Sequence, residues 1–231
     1  MSGRSPLVVA IDGPSGVGKS TAARMLARRL GVPFLDTGAM YRAVALKVLE
    51  SGADPGDPEA VAPLSDAADI RLARRPDGTF EVLLDGRPVE ERIRSRAVSE
   101  ASSQVSEHPA VRRRMVALQR EIAGRHGGVL EGRDIGTRVF PDTPHKFFLD
   151  ARPEVRFRRR HEQLAEAGRP EDYEAVVGDI TARDERDSRR TDSPLTRDPS
   201  YTFIDSSDLD LEEVVERMAR QVEGSALSSR A

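Results

Sequence analysis

A glycine-rich stretch near the start of the chain has the residue types and spacing of a loop that holds phosphate groups. It reads IDGPSGVGKST over residues 11–21 and satisfies the pattern G-x-x-x-x-G-K-[ST]. In such a loop, backbone N–H groups point inward and the following helix adds partial positive charge. Lys19 would reach the terminal phosphates, and the hydroxyl of Ser20 would ligate Mg²⁺. The predicted nucleotide-binding residues are Gly13, Pro14, Ser15, Gly16, Val17, Gly18, Lys19, Ser20 and Thr21.

Lysine is rare in this chain, which gives Lys19 extra weight. Of the 36 basic residues, only Lys19, Lys47 and Lys146 are lysines. The lysine at position 19 therefore indicates that a compact ammonium group, rather than a guanidinium, is needed there. Because arginine supplies almost all the other positive charge, an arginine cluster alone is a weak indicator of a phosphate site.

Two further motifs could bind the molecule that receives a phosphate. In LDTGAMYR, residues 35–42, Thr37 would face the loop mouth, and Arg42 could hold a second phosphate bidentately or be an ordinary surface arginine. In EGRDIGT, residues 131–137, Arg133 and Asp134 could form a plain ion pair. They could equally bind a phosphate and a base, because a carboxylate accepts from an exocyclic amine.

A third charged motif, ARDERDSRR over residues 182–190, has helical spacing. Arg183, Asp187 and Arg190 fall at i, i+4 and i+7, so on a helix they would share one face, with Arg186 close by. Such a face could close over a transferring phosphoryl group, or it could be a solvated surface with ion pairs.

Magnesium favours carboxylates and water, so an acid at the C-terminal end of a strand is expected near Ser20. Five residues meet this criterion, and the sequence does not choose among them: Asp12, Asp36, Glu131, Asp150 and Asp205.

The elements that must position these residues alternate between strands and helices. Lys19 to Leu30 has apolar residues at helical spacing and stops at Gly31, which predicts a helix with a glycine C-cap. Short apolar runs predict strands at Leu7 to Ile11, Phe34 to Leu35, Val129 to Leu130, Phe147 to Leu149 and Thr202 to Ile204. This alternation predicts an α/β fold with a mostly parallel sheet flanked by helices.

One region breaks the alternation. Apolar residues at period two between Ile70 and Leu84, with turn residues at 76–78 and 85–86, predict a small antiparallel β insertion over about residues 65–95. Two helical stretches follow, divided near Pro109, which favours a helix start. The last predicted helix, Leu211 to Val222, follows a Ser206-Ser207-Asp208 cap signal, and the tail from Gly224 is expected to fray.

Composition excludes several classes of protein. The chain has 231 residues, 38% of them hydrophobic, which fits one globular domain, and it has no Cys for a disulfide or a thiolate metal site. A net charge of −3 argues against general nucleic-acid binding. The N-terminal apolar run is too short for a signal peptide or a membrane helix, so a cytoplasmic protein without an obligate protein partner is expected.

In combination and in order, five segments resemble the bacterial cytidylate kinases, a P-loop nucleoside monophosphate kinase family, over nearly the whole chain. They are DGPSGVGKST, LDTGAMYR, SSQVSEHPAVR, EGRDIGT and RDERDSRRTDSPL. The resemblance implies transfer of the ATP γ-phosphoryl group to CMP or dCMP in pyrimidine nucleotide metabolism. It also implies one kinase domain over residues 1–231, a β insertion in the monophosphate-binding part and a helical lid over residues 152–195.

The resemblance also implies roles for individual residues. Thr37, Arg42 and Arg133 would bind the acceptor phosphate. Ser103, Arg112 and Asp134 would read the cytosine edge, and Arg183, Asp187 and Arg190 would contact the sugar and the phosphoryl group. The implied catalytic residues are Lys19, Arg133, Arg183 and Arg190.

Cytosine presents an amine beside two acceptors, which suits a carboxylate next to donors, whereas uracil would set a carbonyl against Asp134. We therefore expect CMP and dCMP to be preferred over UMP.

Other classes fit less well. Regulatory GTPases commonly read guanine through an Asn-Lys-x-Asp motif, and this chain contains no Asn. A kinase of another small-molecule acceptor would share the donor loop but would not need the cytosine-reading set. A non-enzymatic ATP-binding module would not need acceptor residues at several strand ends. The choice between CMP and dCMP, the oligomeric state, the extent of closure and regulation are left open.

Overall fold

The computed structural model describes residues 6–74 and 80–228, which divide into two compact units. One unit contains residues 33–127, and the other contains residues 7–32 together with 128–228. The strands are β1 (Val8–Asp12), β2 (Phe34–Asp36), β3 (Ile70–Arg74), β4 (Phe80–Leu84), β5 (Arg87–Pro88), β6 (Gly128–Gly132), β7 (His145–Asp150) and β8 (Thr202–Asp205). The α-helices are α1 (Lys19–Leu30), α2 (Thr37–Glu50), α3 (Pro58–Ala67), α4 (Arg96–Val105), α5 (Pro109–His126), α6 (Pro153–Glu166), α7 (Tyr173–Arg189) and α8 (Leu211–Ser228).

A parallel sheet forms the centre of the unit that contains the phosphate loop. Strand β1 pairs in parallel with β6 on one side and with β7 on the other, and β7 pairs in parallel with β8. The central residues of β1, Val9 to Ile11, are fully buried, as expected for a wholly apolar strand covered on both faces. The predicted parallel α/β fold is confirmed.

Helix α1 has the predicted bounds and the predicted cap. It begins at Lys19 directly after the glycine loop and ends at Leu30, where Gly31 adopts the left-handed conformation with φ of 66°. The N–H of Gly31 donates to the backbone at the end of the helix. Glycine suits this position because a Cβ would make the left-handed conformation costly.

Helix α8 begins at Leu211, as predicted, but its N-terminal cap and its C-terminal end differ from the prediction. Its cap is Asp210, whose carboxylate accepts from the N–H of Glu213 at 2.8 Å while the Glu213 carboxylate accepts from the N–H of Asp210 at 3.0 Å. This reciprocal pair is a capping box, so the predicted cap at residues 206–208 is wrong. The helix continues to Ser228, whereas the sequence predicted its end at Val222.

Helices α6 and α7 form most of the segment predicted as a lid, residues 152–195. A small apolar cluster of Leu164, Val176 and Ile180 packs between them. Helix α7 ends at Arg189, and Arg190 follows it in an extended conformation. The predicted helical position of Arg190 is therefore wrong, although its side chain still contacts Asp187.

The other unit contains the predicted antiparallel insertion on a helical core. Strands β3, β4 and β5 pair in antiparallel order. Asp85 and Gly86 have φ of 50° and 77°, the conformation of a tight hairpin turn. The turn predicted at residues 76–78 lies outside the described residues. Lys47 of α2 donates to the carbonyl of Ala67 and to the Asp85 carboxylate, which fixes that turn against the helix.

Helix α5 begins at Pro109, as predicted. The helices and the insertion share one buried cluster, which includes Met40, Val44, Ile70 and Leu84.

In the part of the chain that the structure describes, none of the helices combines the length and the apolar character that crossing a membrane requires.

Candidate active site

The glycines of the phosphate loop are required by the packing of its backbone. Gly13, Gly16 and Gly18 have φ of 148°, 81° and 89°, which side chains rarely allow. A Cβ at Gly13 would overlap the carbonyl oxygen of Leu149 at the end of β7, and one at Gly16 would lie 2.7 Å from the carbonyl oxygen of Arg156 in α6. The loop is thus held between β7 and helix α6.

Lys19 is buried at the base of this loop, with 5% of its surface exposed. Its Nζ donates to the carbonyl oxygen of Pro14 at 2.6 Å. Burial, reinforced by the positive charge of Arg133, lowers the pKa of Lys19 to about 7, although Glu131 opposes the shift. An anionic ligand would stabilise the charged form, so the site is electrostatically suited to a phosphate.

Ser20 and Glu131 form a pair of oxygen donors beside Lys19. The Ser20 hydroxyl donates to Oε1 of Glu131 at 2.5 Å, although 111 positions separate the two residues. A hydroxyl next to a carboxylate is the hard oxygen set that Mg²⁺ favours. The other four carboxylates proposed for this role hold groups of the protein instead: Asp12 binds Ile135 and Gly136, Asp36 binds Ala39 and Arg42, Asp150 binds Ala151, and Asp205 binds Ser207.

A cluster of arginines surrounds Asp187, which is 1% exposed. Arg133 donates from Nε to the Asp187 carboxylate at 2.7 Å, and Arg190 contacts the other oxygen. Burial alone would raise the pKa of Asp187, but Arg133, Arg190 and Arg183 lower it to about 2. The carboxylate therefore stays ionised and keeps three guanidinium groups together near the phosphate loop.

Ser15 joins the phosphate loop to helices α6 and α7 through its backbone and to Arg133 through its side chain. Its N–H donates to the Asp184 carboxylate at 3.1 Å, and its carbonyl accepts from Arg156 at 3.1 Å. Its hydroxyl accepts from Arg133 at 2.9 Å. Arg156 and Asp184 also pair with each other. The sequence analysis missed Arg156 and Asp184, because Arg156 belonged to no motif and nothing in the sequence linked Asp184 to Ser15.

In the unit of residues 33–127, the candidate phosphate ligands lie at the start of α2. Thr37 is the first residue of the helix and is 3% exposed. Asp36 caps the helix by accepting from the N–H of Ala39 at 2.9 Å, and its other carboxylate oxygen accepts from Arg42 at 2.8 Å. Burial would raise the pKa of Asp36, but Arg42 and the cap hydrogen bond hold it below its usual value. Arg42 is thus a charged group already oriented near a helix N-terminus.

The candidate base-reading residues of this unit lie where α4 meets α5. Arg112 is 2% exposed, donates to the carbonyl of Ser106 at 3.2 Å and lies over the ring of Tyr41 at 5.6 Å. Ser106 in turn donates to the carbonyl of Ser103 at 2.8 Å. The hydroxyl of Ser103 is buried and has no hydrogen-bond partner among the described residues. Since buried hydroxyls are normally paired, Ser103 has hydrogen-bonding capacity for a ligand.

The structure therefore brings the predicted residues together within each unit. The unit with the phosphate loop contains one group: residues 13–21, Arg133, Arg183, Asp187 and Arg190. The unit of residues 33–127 contains two groups: Thr37 with Arg42, and Ser103 with Arg112. Asp134 is buried at the start of a π-helical turn, Ile135–Val139, that the sequence did not predict.

A phosphate loop on a parallel sheet, with a buried lysine and an arginine cluster beside it, defines a kinase of the P-loop class. The cytidylate kinase family model matches residues 9–224, and the chain belongs to that family. Cytidylate kinases of Mycolicibacterium paratuberculosis and Pelotomaculum thermopropionicum are 48% and 47% identical to it, each over 93% of this chain and over 94% and 95% of their own lengths.

A solved structure of an uncharacterized protein from Eubacterium ventriosum has a similar fold. Its TM-score is 0.54 at 15% identity, covering 94% of this chain and 98% of that chain. At this identity the likeness supports the fold alone.

Proposed function

We propose that this chain transfers the γ-phosphoryl group of ATP to CMP or dCMP, giving ADP and CDP or dCDP, in pyrimidine nucleotide metabolism. The observation that carries the proposal is the position of Arg133 in a chain that matches the cytidylate kinase family over residues 9–224. Its guanidinium binds Ser15 of the phosphate loop through one nitrogen and Asp187 of the lid through another. These contacts beside the phosphate loop support a role for Arg133 in binding the phosphoryl group that leaves it.

On the donor side, the backbone N–H groups of residues 13–21 would hold the triphosphate, and Lys19 would neutralise its terminal charge. Lys19 would then exchange its bond to the Pro14 carbonyl for bonds to phosphate oxygens. The hydroxyl of Ser20, with Glu131 behind it, would hold Mg²⁺, which when bound neutralises charge on the phosphates.

On the acceptor side, the proposed ligands are groups of defined chemistry. Thr37 and Arg42 would bind the acceptor phosphate through a hydroxyl and a guanidinium. Ser103 and Arg112 would donate to the ring nitrogen and the carbonyl of cytosine, and the carboxylate of Asp134 would accept from its amine. The buried, unpartnered hydroxyl of Ser103 supports this assignment.

The chemical step would need no covalent intermediate with the protein. Arg133, Arg183 and Arg190 would neutralise negative charge on the transferring group while the two nucleotides are held in line. Asp187 would keep these guanidinium groups in place and contact the sugar of the acceptor. Water would compete as a nucleophile, so we propose that the lid, residues 152–195, excludes it through its contacts with Ser15.

We also propose that residues 65–95 belong to the monophosphate-binding part of one kinase domain spanning residues 1–231. Because both proposed substrates belong to the cytoplasmic nucleotide pool, we propose the cytoplasm as the place of the reaction.

The direct test is ADP release by the purified full chain from ATP and Mg²⁺, alone and with CMP, dCMP, UMP, AMP, GMP or dTMP. We expect ADP only when an acceptor is present, and fastest with the cytidine nucleotides. Lys19→Ala is the control variant, and it should lose turnover by several orders of magnitude with an unchanged circular dichroism spectrum. Turnover that is indifferent to the acceptor, or absent with all six, would contradict the proposal.

A further inference from the structure

Asp12, the last residue of β1, has a fully buried carboxylate with three hydrogen-bond donors. Oδ1 accepts from the N–H of Ile135 at 2.9 Å, and Oδ2 accepts from the N–H of Gly136 at 2.8 Å and from the hydroxyl of Tyr201 at 2.7 Å. A buried charge is tolerated only when its oxygens are paired in this way. The Asp12 carboxylate, at the start of the phosphate loop, therefore binds the backbone of a distant segment at Ile135 and Gly136, 123 and 124 positions away.

That segment is the π-helical turn Ile135–Val139, which directly follows Arg133 and Asp134. The N–H of Phe140 donates to the carbonyl of Ile135 at 2.7 Å, the i to i+5 bond of a π turn. The first two N–H groups of the turn have no partner within it, because they lie at its N-terminus. Asp12 takes both, and so it fixes where the turn begins.

Tyr201 completes this anchor from the other side. Tyr201 is 7% exposed, and its ring packs edge-on against that of Phe148. A Cβ at Gly136 would lie 2.6 Å from the Tyr201 hydroxyl oxygen, so only glycine leaves room for the hydroxyl to reach Asp12. This contact explains Gly136, the second glycine of the EGRDIGT motif, to which the sequence analysis gave no role.

We infer that Asp12 and Tyr201 are positioning residues for acceptor binding. They hold the π-helical turn in place, and this turn fixes the backbone from which the side chains of Arg133 and Asp134 extend. The inference rests on the proposed function, in which Arg133 binds the acceptor phosphate and Asp134 reads cytosine. The hydrogen bonds described for the Asp12 carboxylate all come from the protein, so its proposed role is indirect. Its loss should weaken the use of CMP and leave ATP binding almost unchanged.

Burial raises the pKa of Asp12 to about 6, and the nearby charge of Asp134 adds to the rise, while the two N–H groups and Tyr201 oppose it. At pH 8 the Asp12 carboxylate of the wild type is ionised, so the variants are compared with the wild type at that pH.

Two variants separate the parts of the anchor. In Asp12→Asn the amide N–H₂ must face one of the two backbone N–H groups, whichever way it turns, so one hydrogen bond is lost and one donor is left unpaired. Tyr201→Phe keeps the carboxylate and removes only the hydroxyl. Thr143→Val is the matched control. It removes a partly buried hydroxyl that donates to the carbonyl of Val8 at 2.6 Å, at the opposite end of β1, and accepts from the N–H of His145 at 3.3 Å.

The first readout is hydrogen exchange of the Ile135 and Gly136 amides in the full chain, which needs no activity. We expect exchange to accelerate about tenfold or more in Asp12→Asn and about threefold in Tyr201→Phe, with no change at these amides in Thr143→Val. Unchanged exchange in both anchor variants would overturn the inference, because the turn would then be held by other contacts.

The second readout compares kcat/KM for CMP with the Kd of ATP. We expect the former to fall about tenfold in Asp12→Asn and about threefold in Tyr201→Phe, with the Kd of ATP within about twofold of wild type. Equal losses for both nucleotides, or equal losses in Thr143→Val, would show a general structural effect and overturn the inference. If Asp12→Asn fails to fold, Tyr201→Phe decides the question. If the wild type does not use CMP, the proposed function fails, and the exchange measurement still decides whether the anchor exists.

Discussion

The charge of Asp187 should make a large and pH-dependent contribution to stability. Arg133, Arg190 and Arg183 lower the pKa of this buried carboxyl from 3.8 to about 2. One pKa unit corresponds to about 1.4 kcal/mol, so the ionised carboxylate stabilises the folded chain by about 2–3 kcal/mol at neutral pH. The folded pKa is the lower one, so this stability is present above about pH 4 and is lost as the pH falls towards 2.

The variant that tests this is Asp187→Asn, with Glu185→Gln as the matched control on the same helix. Glu185 pairs with Arg189 at the surface, where 51% and 78% of the two side chains are exposed. Such a pair contributes about 0–1 kcal/mol. The control therefore removes a carboxylate charge from α7 without disturbing the buried cluster.

The assay is urea unfolding followed by circular dichroism at pH 7 and pH 3. At pH 7 we expect Asp187→Asn to lose about 2–3 kcal/mol and Glu185→Gln less than about 1 kcal/mol. At pH 3 the difference between Asp187→Asn and wild type should shrink to about half. Equal effects of the two variants at pH 7, or a difference that does not shrink at pH 3, would refute the reasoning.

Two further predictions concern the donor side. Because burial lowers the pKa of Lys19 to about 7 and phosphate binding needs its charged form, the Kd of ATP should rise above pH 7, by up to about tenfold per pH unit. Calorimetry in two buffers of different ionisation enthalpy should show proton uptake on binding, and a Kd that is constant from pH 7 to 9 would contradict the prediction. Asp184→Ala removes the acceptor of the Ser15 N–H and should loosen the lid, so the ratio of free phosphate to CDP should rise severalfold in a product assay. An unchanged ratio would show that Asp184 does not contribute to the exclusion of water.

Local sequence patterns predict the elements of this chain well. The apolar run before the glycine loop, the helical spacing after Lys19 and the glycine at 31 each act over a few residues, and all three appear in the structure as predicted. Pro109 and the Asp85-Gly86 turn are equally local signals. The start of α8 carries two local capping signals, of which the prediction used only that at residues 206–208. The capping box at Asp210 and Glu213 formed instead of the cap at residues 206–208.

Contacts between distant positions could not be predicted from one sequence. Glu131 was one of five carboxylates that the sequence offered equally as a partner of Ser20 in binding Mg²⁺. Only the pairing of β1 with β6 shows which strand end lies beside Ser20. Asp184 binds Ser15 across 169 positions, and no spacing rule relates two such residues. The π-helical turn after Asp134 was also missed, because its stability comes from a carboxylate on another strand rather than from its own residues.

The most direct test of the central claim follows the phosphorus atom. The full chain is mixed with ATP, Mg²⁺ and equal concentrations of CMP and UMP, and the products are followed by ³¹P NMR. The account predicts that ADP and CDP appear together in equal amounts and that UDP appears only after most of the CMP has been used. Formation of UDP at the same rate as CDP would contradict the assigned role of Asp134. Release of inorganic phosphate without CDP would contradict the proposed reaction itself.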